Sequence, residues 1–236
     1  LFKRVKAVYD QRGDLSLTAE QQTLLEKTYK GFTRNGANLS LDDKARLREI
    51  DKQLATLKLK FSENVLAETQ HYQWVITDKN TLSGLPDFVL EMLAQEAKKR
   101  KVQGWVITLD LPVYTAVMKY ADNRDLRQKL FIDYHSRCAG ESAYNNEDNV
   151  LRIAQLRQTR ASLLGYPNYA TFALEERMAE TPEKVIAFLN EQLAKDKPQA
   201  INELEELKTF SGLTDFQQWD FAYYAEKLKQ ERYQID

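Results

Sequence analysis

Eight glycines and five prolines are all that interrupt a chain of 236 residues. Long polar–apolar periodic segments fill the intervals, so helix must dominate. Thr18 opens one helix, with Gln21 three residues later completing a capping box. Leu24, Leu25, Thr28, Tyr29 and Phe32 are expected on one face of it, and Asn35-Gly36 ends it. Ser40 caps the next helix. There Leu47, Ile50, Leu54, Leu57 and Phe61 step 3, 4, 3, 4, and Val65 continues the stripe. That spacing makes a long amphipathic helix packed along a partner, and the two helices are expected to form an antiparallel hairpin.

The middle of the chain changes character. Trp74-Val75-Ile76-Thr77 and Trp105-Val106-Ile107-Thr108 are near-identical apolar tetrads rich in β-formers, and each reads as a short strand. Pro86 sits near the start of an intervening helix whose apolar positions include Val89, Leu93 and Ala97. The fold class is therefore mainly α: long amphipathic helices and helical hairpins, with a small β-sheet near residues 73–77 and 104–109.

After Pro112 the helices resume, over about 113–121 and 125–137, the second with Leu126, Leu130, Ile132 and Tyr134 available to pack. Residues 138–146 are small, polar and loop-like. Val150, Ile153, Ala154, Ala161 and Leu164 then share a face until Gly165. Thr181 caps a further helix, with Pro182 at its first position and Glu183 at the positive end of its dipole. Val185, Leu189, Leu193, Ala200, Leu204 and Leu207 carry its stripe, and Pro198, lacking a backbone donor, should kink or split it. Gly212 closes it. Residues 215–220 lead to a last helix from about Phe221, with no stop signal before Asp236.

Composition narrows the function classes. The length suits one large domain or two small ones, and 43% apolar with 29% charged residues is ordinary for a globular chain. A net charge of -1 draws the chain toward neither nucleic acid nor an anionic membrane. Lys98-Lys99-Arg100-Lys101 reads as a solvated helix C-terminus. No apolar run reaches the roughly 18 residues needed to span a bilayer. The start, Leu1 to Lys6, has no apolar signal core and no Met, and reads as a cut inside a longer protein. With Cys138 as the one cysteine there is no internal disulfide, which fits a cytoplasmic setting, the periplasm being the alternative.

The reactive residues do not assemble a known constellation. His71 and His135 are 64 positions apart, and no His-Glu-x-x-His occurs. Glu68-x-x-His71 places a carboxylate and an imidazole on one helical face, but a di-iron bundle needs two such pairs, and Ile132 stands three residues before His135. Cys138 lies one helical turn from His135 without the pattern of a cysteine-peptidase family. There is no Gly-x-Ser-x-Gly elbow and no dinucleotide fingerprint. Gly31 and Gly36 have the outer spacing of a phosphate loop, but Ala37-Asn38 replace its Lys and Ser/Thr. Glu203, Glu205 and Glu206 fit a solvated face. Trp219, Phe221, Tyr223, Tyr224 and Tyr233 suit core or groove lining, with a peptide-contacting wall as the functional alternative. No catalytic, cofactor-binding or metal-binding residue is assigned.

Several segments nevertheless carry one resemblance, in consistent order along nearly the whole chain. They are Asn35-Gly36-Ala37-Asn38-Leu39-Ser40; Trp105 to Leu109 followed by Pro112-Val113-Tyr114; Arg124-Asp125-Leu126-Arg127 and Arg137; Leu156-Arg157, Ala161 and Leu163-Leu164-Gly165-Tyr166; Met178-Ala179-x-Thr181-Pro182; and Trp219-Asp220-Phe221-x-Tyr223-Tyr224 with Lys227-x-Lys229. Together they resemble the thimet oligopeptidase and dipeptidyl carboxypeptidase family of zinc peptidases, the last segment being most similar to the dipeptidyl branch. The resemblance implies a mainly helical, two-lobed body around a deep channel that admits thin, unfolded peptides. It implies a zinc held by a His-Glu-x-x-His helix and a later glutamate, with hydrolysis of short peptides and release of C-terminal dipeptides. Those ligands would lie beyond the Trp219 segment.

On that reading residues 1–122 form an N-terminal helical lobe with the small sheet, and 123–236 the start of the catalytic domain, truncated before the zinc site. Zinc would belong to the full-length parent and not to this piece, which would be inactive alone and take up no stoichiometric zinc. Its partners would be short peptide substrates and the remainder of the catalytic domain, with no nucleic acid and no membrane. The rival expectation is a non-catalytic all-helical interaction module.

Overall fold

The computed structural model describes residues 1–234. Ile235 and Asp236, where the sequence offers no stop, lie outside the described residues. The elements are α1 (Phe2–Asp10), α2 (Ala19–Thr33), α3 (Leu41–His71), β1 (Trp74–Ile76), α4 (Asp87–Arg100), β2 (Trp105–Ile107), α5 (Leu111–Tyr120), α6 (Arg124–His135), α7 (Glu147–Leu163), α8 (Tyr169–Leu174), α9 (Pro182–Ser211) and α10 (Gln218–Tyr233). The chain is mainly α, with one two-stranded sheet among the described residues. Its contacts divide into two units, residues 1–59 with 149–185 and residues 60–148 with 186–236.

In the first unit the local signals act as the sequence suggests. Thr18 Oγ1 accepts from the Gln21 amide at 3.3 Å and the Gln21 side chain accepts from the Thr18 amide at 3.0 Å, closing the capping box of α2. Ser40 Oγ accepts from the Asp43 amide at 3.1 Å and starts α3. The faces are less faithful. Leu24 is exposed, α2 has no fully buried residue, and its close partner is α1, which no capping signal announces. Tyr9 stacks on Tyr29 with ring centroids 3.7 Å apart, and Phe2 packs on Tyr29 and Phe32. On α3, Leu47, Ile50 and Leu54 are buried as the stripe requires, while Phe61 is exposed. Ile50 and Leu54 pack with Ile153 and Leu156 of α7. Val150 and Ala154 were expected on that α7 face and are exposed; Asn149 and Leu156 take the buried positions. The reason is angular: positions 149, 153 and 156 step 4 and 3 along one line, and Val150 falls about 100° away.

In the second unit the two tetrads pair antiparallel, with Trp74 opposite Ile107 and Ile76 opposite Trp105. Gly104 precedes β2 with φ of 94°, and a Cβ there would collide with the Ile76 carbonyl, so only glycine lets the strands close at that end. Helix α4 lies against β2. Its Val89, Leu93 and Ala97 are buried, Val89 and Leu93 with Ile76, Ile107, Leu109, Val117, Leu126 and Leu130 in the main core. Each large side chain so buried contributes about 1.5–3 kcal/mol relative to exposure. Helix α4 ends at the basic run, and Lys101 takes the left-handed position there. Helices α5 and α6 pack together and both meet α10. Ile132 of α6, expected to pack, is exposed, and Arg127 takes a buried place on that helix instead. Helix α6 stops at His135 and not at Arg137. Helix α10 begins at Gln218, earlier than expected, because Gln217 and Asp220 form a reciprocal cap.

Helix α9 starts where Thr181 and Pro182 place it, with Thr181 Oγ1 accepting from the Lys184 amide at 3.3 Å. Pro198 does not split it: the helix runs through to Ser211. Leu189 and Leu193 of its stripe are exposed, as are Ile186, Phe188 and Ile201, and Leu207 is its one buried residue. No helix of the described residues is long and apolar enough to cross a membrane.

Candidate functional site

The residues with the most reactive chemistry are dispersed and engaged. His71 Nδ1 lies 2.7 Å from the Ala67 carbonyl and His135 Nδ1 lies 2.8 Å from the Phe131 carbonyl. A carbonyl only accepts, so in each ring Nδ1 is the protonated nitrogen, turned back on its own helix. Glu68 does not face His71 as a ligand pair would. Its Oε2 accepts from the Cys138 amide at 2.6 Å and from Ser142 Oγ at 2.9 Å, which fixes the loop after α6. Cys138 is 5% exposed, and burial together with the neighbouring Glu68 pushes its thiol up to about 11. A protonated, enclosed thiol is a poor nucleophile. Among the described residues no group of three or more His, Cys, Asp or Glu side chains could hold a metal ion. The donor set does not fit the zinc that the resemblance implies, and no catalytic step is derived through it.

What the fold does assemble is charge pairing between segments that carry the resemblance. Asp220, 0% exposed, sits at the start of α10. Arg124 Nε donates to its Oδ1 at 3.0 Å and Nη2 to its Oδ2 at 2.8 Å; Arg127 Nη2 donates to Oδ1 at 2.9 Å; the Gln217 amide donates to Oδ2 at 3.0 Å. Burial works against the Asp220 charge, but these donors, Arg124 foremost, hold the carboxyl below the usual aspartate range. Arg127 is itself 1% exposed, and its remaining donors reach the Trp219 carbonyl at 3.1 Å and the Ala121 carbonyl at 2.7 Å. Its guanidinium also lies 4.2 Å from the Tyr223 ring centroid.

Tyr223 donates to Asp122 Oδ1 at 2.8 Å and Ser83 Oγ donates to Oδ2 at 2.9 Å. Burial, then Asp122, push the Tyr223 hydroxyl up to about 12. Asp122 is held low: its burial is outweighed by the Tyr223 and Ser83 hydrogen bonds and the nearby Lys227 charge. With Asp220, Asp122 and Arg127 each held by several hydrogen bonds, this cluster fixes charge in place. In the first unit Arg34 plays a similar part, pairing with Glu175, donating to the Phe172 carbonyl at 2.8 Å, and sharing Glu175 with the Tyr166 hydroxyl at 2.6 Å.

Sequence reasoning missed these pairs because partners 93 positions apart leave no local signal. The aromatic cluster was visible. Part of it serves packing: Tyr224 meets Phe210, Phe216 and Tyr223 edge-on or tilted, and Trp219 meets Phe131, while Phe221 and Tyr233 are exposed. Beside it, a cavity of about 440 Å³ opens between the loop before α4, the end of α5 and α10. Gly84 shapes its wall, since at φ of 84° a Cβ would strike the Tyr120 carbonyl and Asp122.

The sequence profile described as peptidase family M3 matches residues 117–236. Oligopeptidase A of Escherichia coli (strain K12) is 32% identical over 243 residues, an alignment covering all of this chain and 36% of the relative. Dipeptidyl carboxypeptidase of the same organism is 30% identical over 241 residues, covering all of this chain and 35% of the relative. Saccharolysin of Saccharomyces cerevisiae is 29% identical over 247 residues, covering 33% of its length. The chain thus spans about a third of the curated relatives it matches.

Proposed function

The chain belongs to peptidase family M3, and from that premise we propose that it is part of a zinc-dependent peptidase that hydrolyses short peptides and releases dipeptides from their C-termini. The observation that carries this reading is the match to the family over 117–236 together with relatives aligned along the entire chain, an oligopeptidase and a dipeptidyl carboxypeptidase among them. In that protein residues 1–122 form an outer helical lobe and the catalytic domain begins near residue 123; the start of the family match at 117 supports this division. The described residues supply scaffold and channel wall. Arg124, Arg127 and Asp220 join the beginning of that domain to its later segment. The metal ligands and the base that activates water belong to the parent's remaining residues, so this stretch by itself is inactive and holds no stoichiometric zinc. A cytoplasmic setting fits the single, buried cysteine.

The test is hydrolysis by the full-length protein of a blocked pentapeptide, with products read by mass spectrometry. C-terminal dipeptide release that a chelator abolishes and zinc restores is expected. Hydrolysis indifferent to the chelator would overturn the zinc reading, and internal cleavage alone would overturn the dipeptidyl assignment. One observation favours a second reading, a non-catalytic interaction module: the exposed apolar side chains Ile186, Phe188, Leu189, Leu193 and Ile201 along α9. Full-length protein that cleaves no peptide under any metal condition would select it.

A further inference from the structure

The cavity between α5 and α10 has a composition the buried arginine cluster does not explain. Lys119 and Lys227 both line it, and their side chains are 48% and 45% exposed. Each ammonium stands 3.7 Å from its nearest carboxylate, Glu226 for Lys119 and Asp122 for Lys227, beyond hydrogen-bonding reach. Neither carboxylate relies on its lysine for a hydrogen bond, although the nearby Lys227 charge helps to hold Asp122 ionised. Glu226, 6% exposed, has Lys229 Nζ at 2.6 Å, and Asp122 accepts from Tyr223 and Ser83. Neither ammonium is hydrogen-bonded to its carboxylate, so both lysines keep donors for a ligand, and with Lys229 three ammonium groups stand against the two carboxylates, one positive charge in excess. Pro86 and Phe88 also line it, and Phe88 is 63% exposed. Gln230 adds a side-chain amide.

Two ammonium groups without an arginine fork suit a compact single anion more than a planar bidentate or multiply charged one. An exposed aromatic ring in the same cavity suits an apolar group next to that anion. We propose that this cavity binds a free carboxylate carried on an apolar group, with Lys119 and Lys227 as its partners and Phe88 against the neighbouring side chain. Resting on the peptidase reading, the ligand is the C-terminal residue of a short peptide.

The test is equilibrium binding of N-acetyl-Ala-Phe to the full-length protein stripped of metal by a chelator, so that a metal-held centre adds no affinity for the carboxylate. One-to-one binding is expected. The C-terminal amide of the same dipeptide, and the Lys119→Gln and Lys227→Gln variants, should each bind about tenfold more weakly, the scale of one hydrogen bond to a charged group. Equal binding of acid and amide overturns the proposal. So does full affinity in the double variant with an unchanged circular dichroism spectrum. Propionate binding as tightly as the dipeptide overturns the peptide assignment in favour of small organic acids. Hydrolysis by the zinc-loaded protein is read separately. Carboxylate-dependent binding without any hydrolysis overturns the peptidase reading alone, and hydrolysis without such binding overturns the cavity assignment alone.

Discussion

Arg127 and Asp220, 93 residues apart in sequence, share a 2.9 Å hydrogen bond in the interior of the protein, where neither is more than 1% exposed. Removing one partner leaves the other charged and enclosed. Asp220→Ala should therefore destabilise the protein by about 3–5 kcal/mol, far beyond an ordinary surface ion pair. Urea unfolding followed by circular dichroism measures it, and a loss under about 1 kcal/mol would contradict a buried pair.

The same carboxyl sets a pH dependence. Asp220 is held below its ordinary value of 3.8, so its folded-state pKa is the lower one. Its stabilising effect is complete above the unfolded value and is lost as pH falls through the folded value. Stability should fall as pH drops below about 4, and Asp220→Asn should flatten that part of the curve. Thermal midpoints from pH 7 to pH 2.5 for both proteins make the comparison.

Cys138 should resist modification. With the thiol enclosed and pushed up to about 11, iodoacetamide at pH 8 should alkylate it at least tenfold more slowly in the native protein than in guanidinium chloride. Equal rates in a mass-spectrometric time course would show an open thiol.

The buried line of α7 separates two neighbouring residues. Ile153→Ala removes packing against Ile50, Leu54 and Leu156 and should cost about 2–5 kcal/mol. Val150→Ala, at an exposed position, should stay within about 0.5 kcal/mol of the native protein. Denaturant midpoints for the two variants give the contrast directly.

Local chemistry was legible in the chain wherever a few adjacent residues decide the structure. Thr18 with Gln21, Ser40, and Thr181 with Pro182 announce helix starts because their side chains act on amides two or three positions away. Trp74-Val75-Ile76 and Trp105-Val106-Ile107 announce strands through their shape. Which face of a helix is covered depends on partners that no local pattern names. Val150 and Ile153 look alike in sequence, yet only Ile153 meets α3. The apolar stripe of α9 is plain in the sequence, yet Leu189, Leu193 and Ala200 are exposed and Leu207 alone of it is fully buried. The pairing around Asp220 was invisible for the same reason: Arg124, Arg127 and Asp220 all stand in segments that carry the family resemblance, but nothing local joins them until the fold brings Asp220 to the two arginines.

Pro198 sits mid-way along an unbroken α9. Having no amide hydrogen, it leaves the Ala194 carbonyl without its usual helical donor, and Ala194 is exposed to solvent. A rod thirty residues long thus carries one joint with a missing internal tie, and bending strain applied to its ends would concentrate at that single turn.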